Sequence, residues 1–243
     1  MRQTGSLEMH PLFLMIGNIC SDIHMKATAH AWSCVAYMPI AQFIAYSNYM
    51  SVLQARLWHR CMDIVCSSLK TVAAQGELMV DPSRNQCYCF TPLIRYVADL
   101  PEQLMVACVA QNASPITLAT KAEFCSAIPS PPCFGVYTLQ QIYSLAQCIN
   151  LWKVCEFLEA AKQLNLSGVH LPFWRDWCFS DPAIFLTPEI FHTLHKFFFD
   201  HILKWCKEGL GADELDTHYQ SHHKQVGAWH FLNGVSHVKQ MTG

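Results

Sequence analysis

Eighteen carboxylates and thirteen histidines are the groups in this 243-residue chain that could move protons or hold metal ions. Asp99 is the best placed of the acids. It ends a short apolar run, residues 91–99 (TPLIRYVAD), and is followed closely by Pro101 and Glu102. An acid at a strand end beside a turn can ligate a metal or activate water. The same residues also describe an ordinary helix start, with Asp as the cap and Pro in the first turn, where no amide partner is needed. From the residues alone both readings of Asp99 stand.

Glu189 and His192 lie three apart and His195 follows, a spacing that puts side chains on one helix face. An E-x-x-H on a helix binds metal in di-iron bundles, which need a second such motif, and only one is present here. The alternative is a first-turn Glu favoured by the helix dipole, with His residues at a packed surface. His218, His222 and His223 lie close to Asp213 and Asp216. A helix would stack His218 on His222, yet H-Y-Q-S-H-H lacks the Glu of the zinc-protease motif. A solvated helix end is the other reading. No two of the thirteen cysteines are separated by two residues, so there is no C-x-x-C half-site. Cys87-x-Cys89 reads as two positions on one face of a strand. No tight zinc site is expected. No Gly-rich phosphate loop and no nucleophile elbow is present, and spacing alone names no reaction.

The elements that must carry these groups are partly readable. Pro11–Ile19 and Ala31–Pro39 are apolar runs of strand length. Met50–Gln75 reads as one long helix with a stripe of Leu53, Leu57, Cys61, Ile64 and Val65, and Gly76 just past its end. Asp81-Pro82-Ser83-Arg84-Asn85 is a turn between Leu78–Val80 and Gln86–Phe90, which can pair as a hairpin. We expect one short sheet from 11–19, part of 31–39 and 95–98, packed by the 50–75 helix. The Pro-rich 127–137 reads as a linker. Thr138 with Gln141 matches a capping box, 150–164 a second amphipathic helix, and Thr187-Pro188-Glu189 a third helix start running to about Lys207.

Composition narrows the class. The chain is 52% hydrophobic and 14% charged, with a formal net charge of −2, which does not describe a disordered tail or a basic nucleic-acid arm. No signal peptide is visible, so reduced thiols in an intracellular compartment are expected. Residues 27–55 contain no Asp, Glu, Lys or Arg, but His30, Pro39, Gln42, Ser47 and Asn48 interrupt them. A buried segment is expected there, and no membrane span.

Six strings together carry a resemblance: HPLFLMIGNICSDIHMKA from His10, QARLWHRCMDIV from Gln54, CFTPLIRYVADLPEQ from Cys89, LSGVHLPFWRDW from Leu166, FLTPEIFHTLHKFFFDHILKWC from Phe185 and HFLNGVSHVKQMTG from His230. The chain resembles the Plavaka-type transposases of fungi, near the CACTA (En/Spm) group. The resemblance implies an α/β fold: a partial RNase-H-like core with a short, incomplete sheet over residues 1–126, the linker 127–137, and a mainly helical insertion over 138–243. It implies DDE chemistry, in which three carboxylates hold two divalent ions, Mg²⁺ or Mn²⁺, for in-line displacement at phosphorus. Asp99 matches the second catalytic carboxylate and would be a metal ligand. Glu189 and His192 match an acid-x-x-His motif of the insertion. DNA and the rest of the transposase chain are the implied partners, and the nucleus or another intracellular compartment the place.

The departures from the family pattern set the functional expectation. The first catalytic Asp is expected upstream of the GNI strand and the third carboxylate beyond Gly243, so the chain reads as an internal fragment. The Cys-x-x-Cys often found after the second Asp is missing. The expectation is an inactive remnant of a cut-and-paste transposase, with no metal bound in the fragment. The alternatives are a helical protein-interaction module and a metal-binding helical protein built on Glu189, His192 and His195.

Overall fold

A computed structural model describes residues 8–124, 126–227 and 230–238. The chain is α/β, with small sheets among short helices, and it divides into two compact units, one running to Thr187 and one from Pro188. The Pro-rich stretch 127–137 lies within the first unit.

In that unit β1 (Met9–Met15) pairs antiparallel with β2 (Trp32–Pro39), from Met9 opposite Pro39 to Met15 opposite Trp32. The short helix α1 (Ser21–His24) lies in the connection. The helix expected over 50–75 is two, α2 (Ser47–Val65) and α3 (Ser67–Gln75), with Cys66 between them at φ −91° and ψ 3°. Ser67 donates its hydroxyl to the Ile64 carbonyl at 2.9 Å, and such local bonds compete with the helical ladder. Gly76 ends α3 at φ 73°, a conformation that suits glycine. The hairpin forms as read, with β3 (Glu77–Val80) against β4 (Gln86–Cys89). Asp81 closes its turn by accepting from the Asn85 amide at 2.8 Å and from its side chain at 3.0 Å.

The single sheet expected for the first hundred residues does not form. β5 (Tyr96–Ala98) pairs with β6 (Leu186–Pro188), and the described strands make three separate two-stranded sheets. Run length identifies a strand, but the partner is chosen by whatever the tertiary core brings alongside. The early apolar runs are also not buried: Phe13 is 53% exposed, Trp32 53% and Tyr37 57%. A ribbon of two strands leaves much of its surface uncovered. No described helix is long and apolar enough to cross a membrane.

The core of the first unit is assembled by later residues. α4 (Leu100–Ala107), α5 (Gly135–Cys148) and α6 (Val154–Gln163) contribute Val106, Ile142 and Phe157, and the irregular segment 166–177 adds Phe173, Trp174 and Trp177. The stripe that α2 buries is Val52, His59 and Met62, continued by Cys66 just past its end, one step round from the one expected. Ile64 of the expected stripe is 59% exposed. His59 sits in the middle of the true stripe, and a polarity pattern counts histidine as outward.

Thr138 does not cap α5. It lies inside the helix, buried, and the amide of Gly135 at the helix start donates to Asp181 Oδ2 at 2.9 Å. The other oxygen of Asp181 accepts from the Ala183 amide at 2.9 Å and so caps α7 (Pro182–Phe185). One distant acid thus starts two helices. Gly135 is needed for the close fit, since a Cβ there would meet Trp174 at 2.8 Å. The Thr187 cap is overturned likewise: Thr187 and Pro188 belong to β6, and helical turns begin after Glu189.

The second unit holds π-helical turns at Phe191–Lys196 and Phe198–Leu203, then α8 (Lys204–Leu210) and α9 (Ala212–Ser221). Leu203, Leu215 and Val235 form its small core.

Candidate functional site

Asp99 lies where the sequence places it, between β5 and α4. Its Oδ1 accepts from the Glu102 amide at 3.0 Å, with Pro101 in the first turn of α4. The junction is fastened from both sides. Tyr96 donates its phenol to Glu102 Oε1 at 2.6 Å, and Gln103 donates from Nε2 to the Ala98 carbonyl at 2.8 Å. The Asp99 carboxylate therefore serves the helix as a cap. Replacing Asp99 with Ala should cost about 1 kcal/mol of stability through loss of that bond; urea unfolding checks it, and an unchanged midpoint would count against the capping role.

Glu189 plays the same part in the second unit. Its Oε1 accepts from the Phe191 amide at 2.7 Å, and Oε2 is bonded to His192 Nδ1. That contact, with the amide bonds, holds the Glu189 carboxyl below its usual range. His195 stacks on Phe191, with ring centroids 6.2 Å apart. The His218–His222 stack does not form: α9 ends at Ser221, and His222 is extended with φ −66° and ψ 132°. His218 meets Glu214 at 3.0 Å instead. Asp216 receives the amides of Val235 and Ser236 at 2.7 and 2.8 Å and the Ser236 hydroxyl at 2.5 Å, so it anchors the segment after α9.

Among the described residues no group of three or more His, Cys, Asp or Glu side chains gathers as a metal site. The Asp99 carboxylate already holds an amide, and the Glu102 carboxylate three residues on is held by the Tyr96 phenol. Two divalent ions need several converging carboxylates to balance and place them. The described residues do not fit a metal pair.

The densest polar chemistry lies around α2 and α3, away from every acid singled out by its spacing in the sequence. Lys70 of α3 is bonded to Asp63 of α2 and reaches Asp176 Oδ1 at 2.5 Å. Arg175 lies 3.0 Å from Asp63 Oδ2, and Arg60 3.2 Å from the same oxygen. Burial opposes the charge on Asp63, but Arg175 and Lys70 outweigh it and bring the carboxyl below its ordinary value. Beside this cluster His59 accepts the Phe173 amide on Nδ1 at 3.2 Å and donates from Nε2 to the Met105 carbonyl at 2.9 Å. Cys108 Sγ lies 3.4 Å from Nε2, its thiol raised by burial and thus poorly nucleophilic. The available signal was the seven-residue spacing of Asp63 and Lys70, which on the single helix expected over 50–75 would be two turns along one face.

These contacts describe an α/β protein whose acids start helices and whose α2 is pinned to the segment 166–177. The family model for Plavaka transposases matches residues 1–206, and the chain belongs to that family. Five of the six strings lie within the match, and the one from His230 lies outside it. No curated protein and no solved structure matches the chain.

Proposed function

We propose that the chain is a remnant of a cut-and-paste DNA transposase of the DDE type, derived from two-metal phosphoryl transfer and inactive by itself. Residues 1–126 would descend from an RNase-H-like core and 138–243 from the insertion, joined through 127–137. Asp99 would be the vestige of the second catalytic carboxylate, and Glu189 with His192 that of the acid-x-x-His motif. DNA and the remaining transposase sequence are the partners of this reading, Mg²⁺ or Mn²⁺ the ions of the intact enzyme, and the nucleus or another intracellular compartment its place. The observation that carries it is Asp99 itself: an acid at a strand end, inside the matched span, whose carboxylate caps α4 while no group of acids among the described residues gathers to share a metal.

The test is a nicking and strand-transfer assay on purified protein with Mg²⁺ or Mn²⁺. We expect no turnover above background. Cleavage that Asp99→Ala abolishes would overturn the reading. A second reading, an interaction module without catalysis, is favoured by exposed apolar residues on paired strands, including Trp32, Tyr37, Val80 and Tyr88.

A further inference from the structure

The helix of the second unit runs from Phe191 to Leu210 with helical backbone at Phe197 between its turns, and it is apolar on two sides. One side carries Phe199, Leu203 and Cys206 into the small core with Leu215 and Val235. The other faces water: Ile190, Leu194, Phe197, Phe198 and Trp205 are all exposed. Their rings stand in a row. Phe197 and His201 have centroids 5.2 Å apart, His201 and Trp205 5.8 Å, and Phe197 meets Trp205 edge-on at 6.3 Å. Residues four apart therefore line one face of this helix. An exposed apolar patch with a polar rim marks an interaction surface.

The adjoining row of charges identifies the partner. Lys196, Asp200 and Lys204 each precede a member of the ring row by one position, Glu208 continues them, and the four alternate in sign. Their contacts within the helix, Lys196–Asp200 at 3.6 Å and Lys204–Glu208 at 3.8 Å, are long and solvated and add little to the fold. Read backwards, the row is its own complement. A two-fold axis perpendicular to the helix, level with residue 202, sets Lys196 opposite Glu208 of a second copy and Asp200 opposite Lys204, and symmetry makes each contact twice. Sliding the copies by four residues sets Lys196 against Lys204 and Asp200 against itself. The charges thus select both direction and register, as flanking charges do in paired helices. In the favoured register Leu194 comes level with the exposed Leu210, and Trp205 with the interval between Phe197 and His201.

We propose that the chain pairs with a second copy of itself through the exposed face of residues 190–210, as an antiparallel dimer. Phe197 and Trp205 supply the apolar contact, and the row Lys196, Asp200, Lys204 and Glu208 sets the register. The dimer is independent of the transposase reading and uses no residue of the Asp99 junction.

The test is sedimentation equilibrium of the purified full chain over a range of concentrations. A reversible transition from the 27.6 kDa monomer to a dimer is expected. Trp205→Glu should abolish it. Lys204→Glu sets like charges against each other twice and should weaken the dimer about tenfold. Adding Asp200→Lys to Lys204→Glu restores opposite charges across the pair and should recover most of the loss. Asp200, Lys204 and Trp205 are all exposed, so the circular dichroism of the variants should match the parent. A monomer at every concentration, which leaves the face to a different protein, would overturn the proposal. So would growth beyond a dimer, a dimer that survives Trp205→Glu, or a double variant no tighter than Lys204→Glu.

Discussion

Asp63→Ala should destabilise the first unit by about 3–5 kcal/mol, the range for removing one partner of a buried ion pair. The Lys70 side chain is 8% exposed and its Nζ bonds to Asp63 and Asp176. Without Asp63 it keeps only Asp176, whose side chain is 56% exposed and gives weaker, more screened compensation. Arg175 loses its 3.0 Å partner in the same change and retains Asp176 at 3.7 Å. Lys70→Met should cost much less, because Asp63 still has Arg175 and Arg60 and methionine fills the same volume. Urea unfolding of the two variants beside the parent measures the difference. A loss under about 1 kcal/mol for Asp63→Ala, or equal losses for both, would show that the cluster does not hold α2, α3 and the segment 166–177 together.

Acid should weaken the fold well before its carboxylates titrate. His59 is 1% exposed, and burial lowers its pKa from 6.5 to about 4. The Met105 hydrogen bond and Asp63 oppose that shift, and Arg175 adds to it. The unfolded chain takes up the proton as pH falls through 6.5, and the folded chain only near 4. Stability is therefore lost across that window as pH falls. One proton over that interval amounts to roughly 3 kcal/mol. The structure gives the same sign independently: Nδ1 must stay unprotonated to accept the Phe173 amide. His170 contributes in the same direction. Asp63, held below the ordinary carboxylate value, acts in the opposite region: its stabilisation is full above that value and is lost only at lower pH. The loss of unfolding free energy between about pH 7 and about pH 4.5 should be ~2–3 kcal/mol larger in the parent than in His59→Gln, which can still donate and accept but does not titrate, with His170 contributing to the slope of both proteins. An equal slope in both proteins would remove His59 from the explanation.

Local chemistry was legible where it is decided locally. The Asp81–Asn85 turn, Gly76 at the end of α3 and Asp99 before Pro101 each depend on residues within a few positions, and each lies where the sequence puts it. The helix starts read at Thr138 and Thr187 failed because their competitors were remote. Asp181 supplies the cap for α5 from 46 residues away, and Leu186–Pro188 is drawn into pairing with β5.

The candidate site divides on the same line. Family membership was readable because strings along the chain keep their order, and that needs no contact between them. Asp99 as an acid at a strand end was readable too, since the strand, the acid and the proline are neighbours. What its carboxylate does, and whether other acids join it, depends on which elements pack beside it, and only the tertiary structure answers that among the described residues. The burial of His59, the Asp63–Lys70–Arg175 cluster and the Arg56 bonds to the Gly168 and Leu151 carbonyls were likewise hidden. Each pairs residues of α2 with a segment about a hundred positions away, and hydrophobic period treats a buried histidine, lysine or arginine as surface. Desolvation, which gives these groups their energetic weight, is a property of the packed core and has no local signature in the chain.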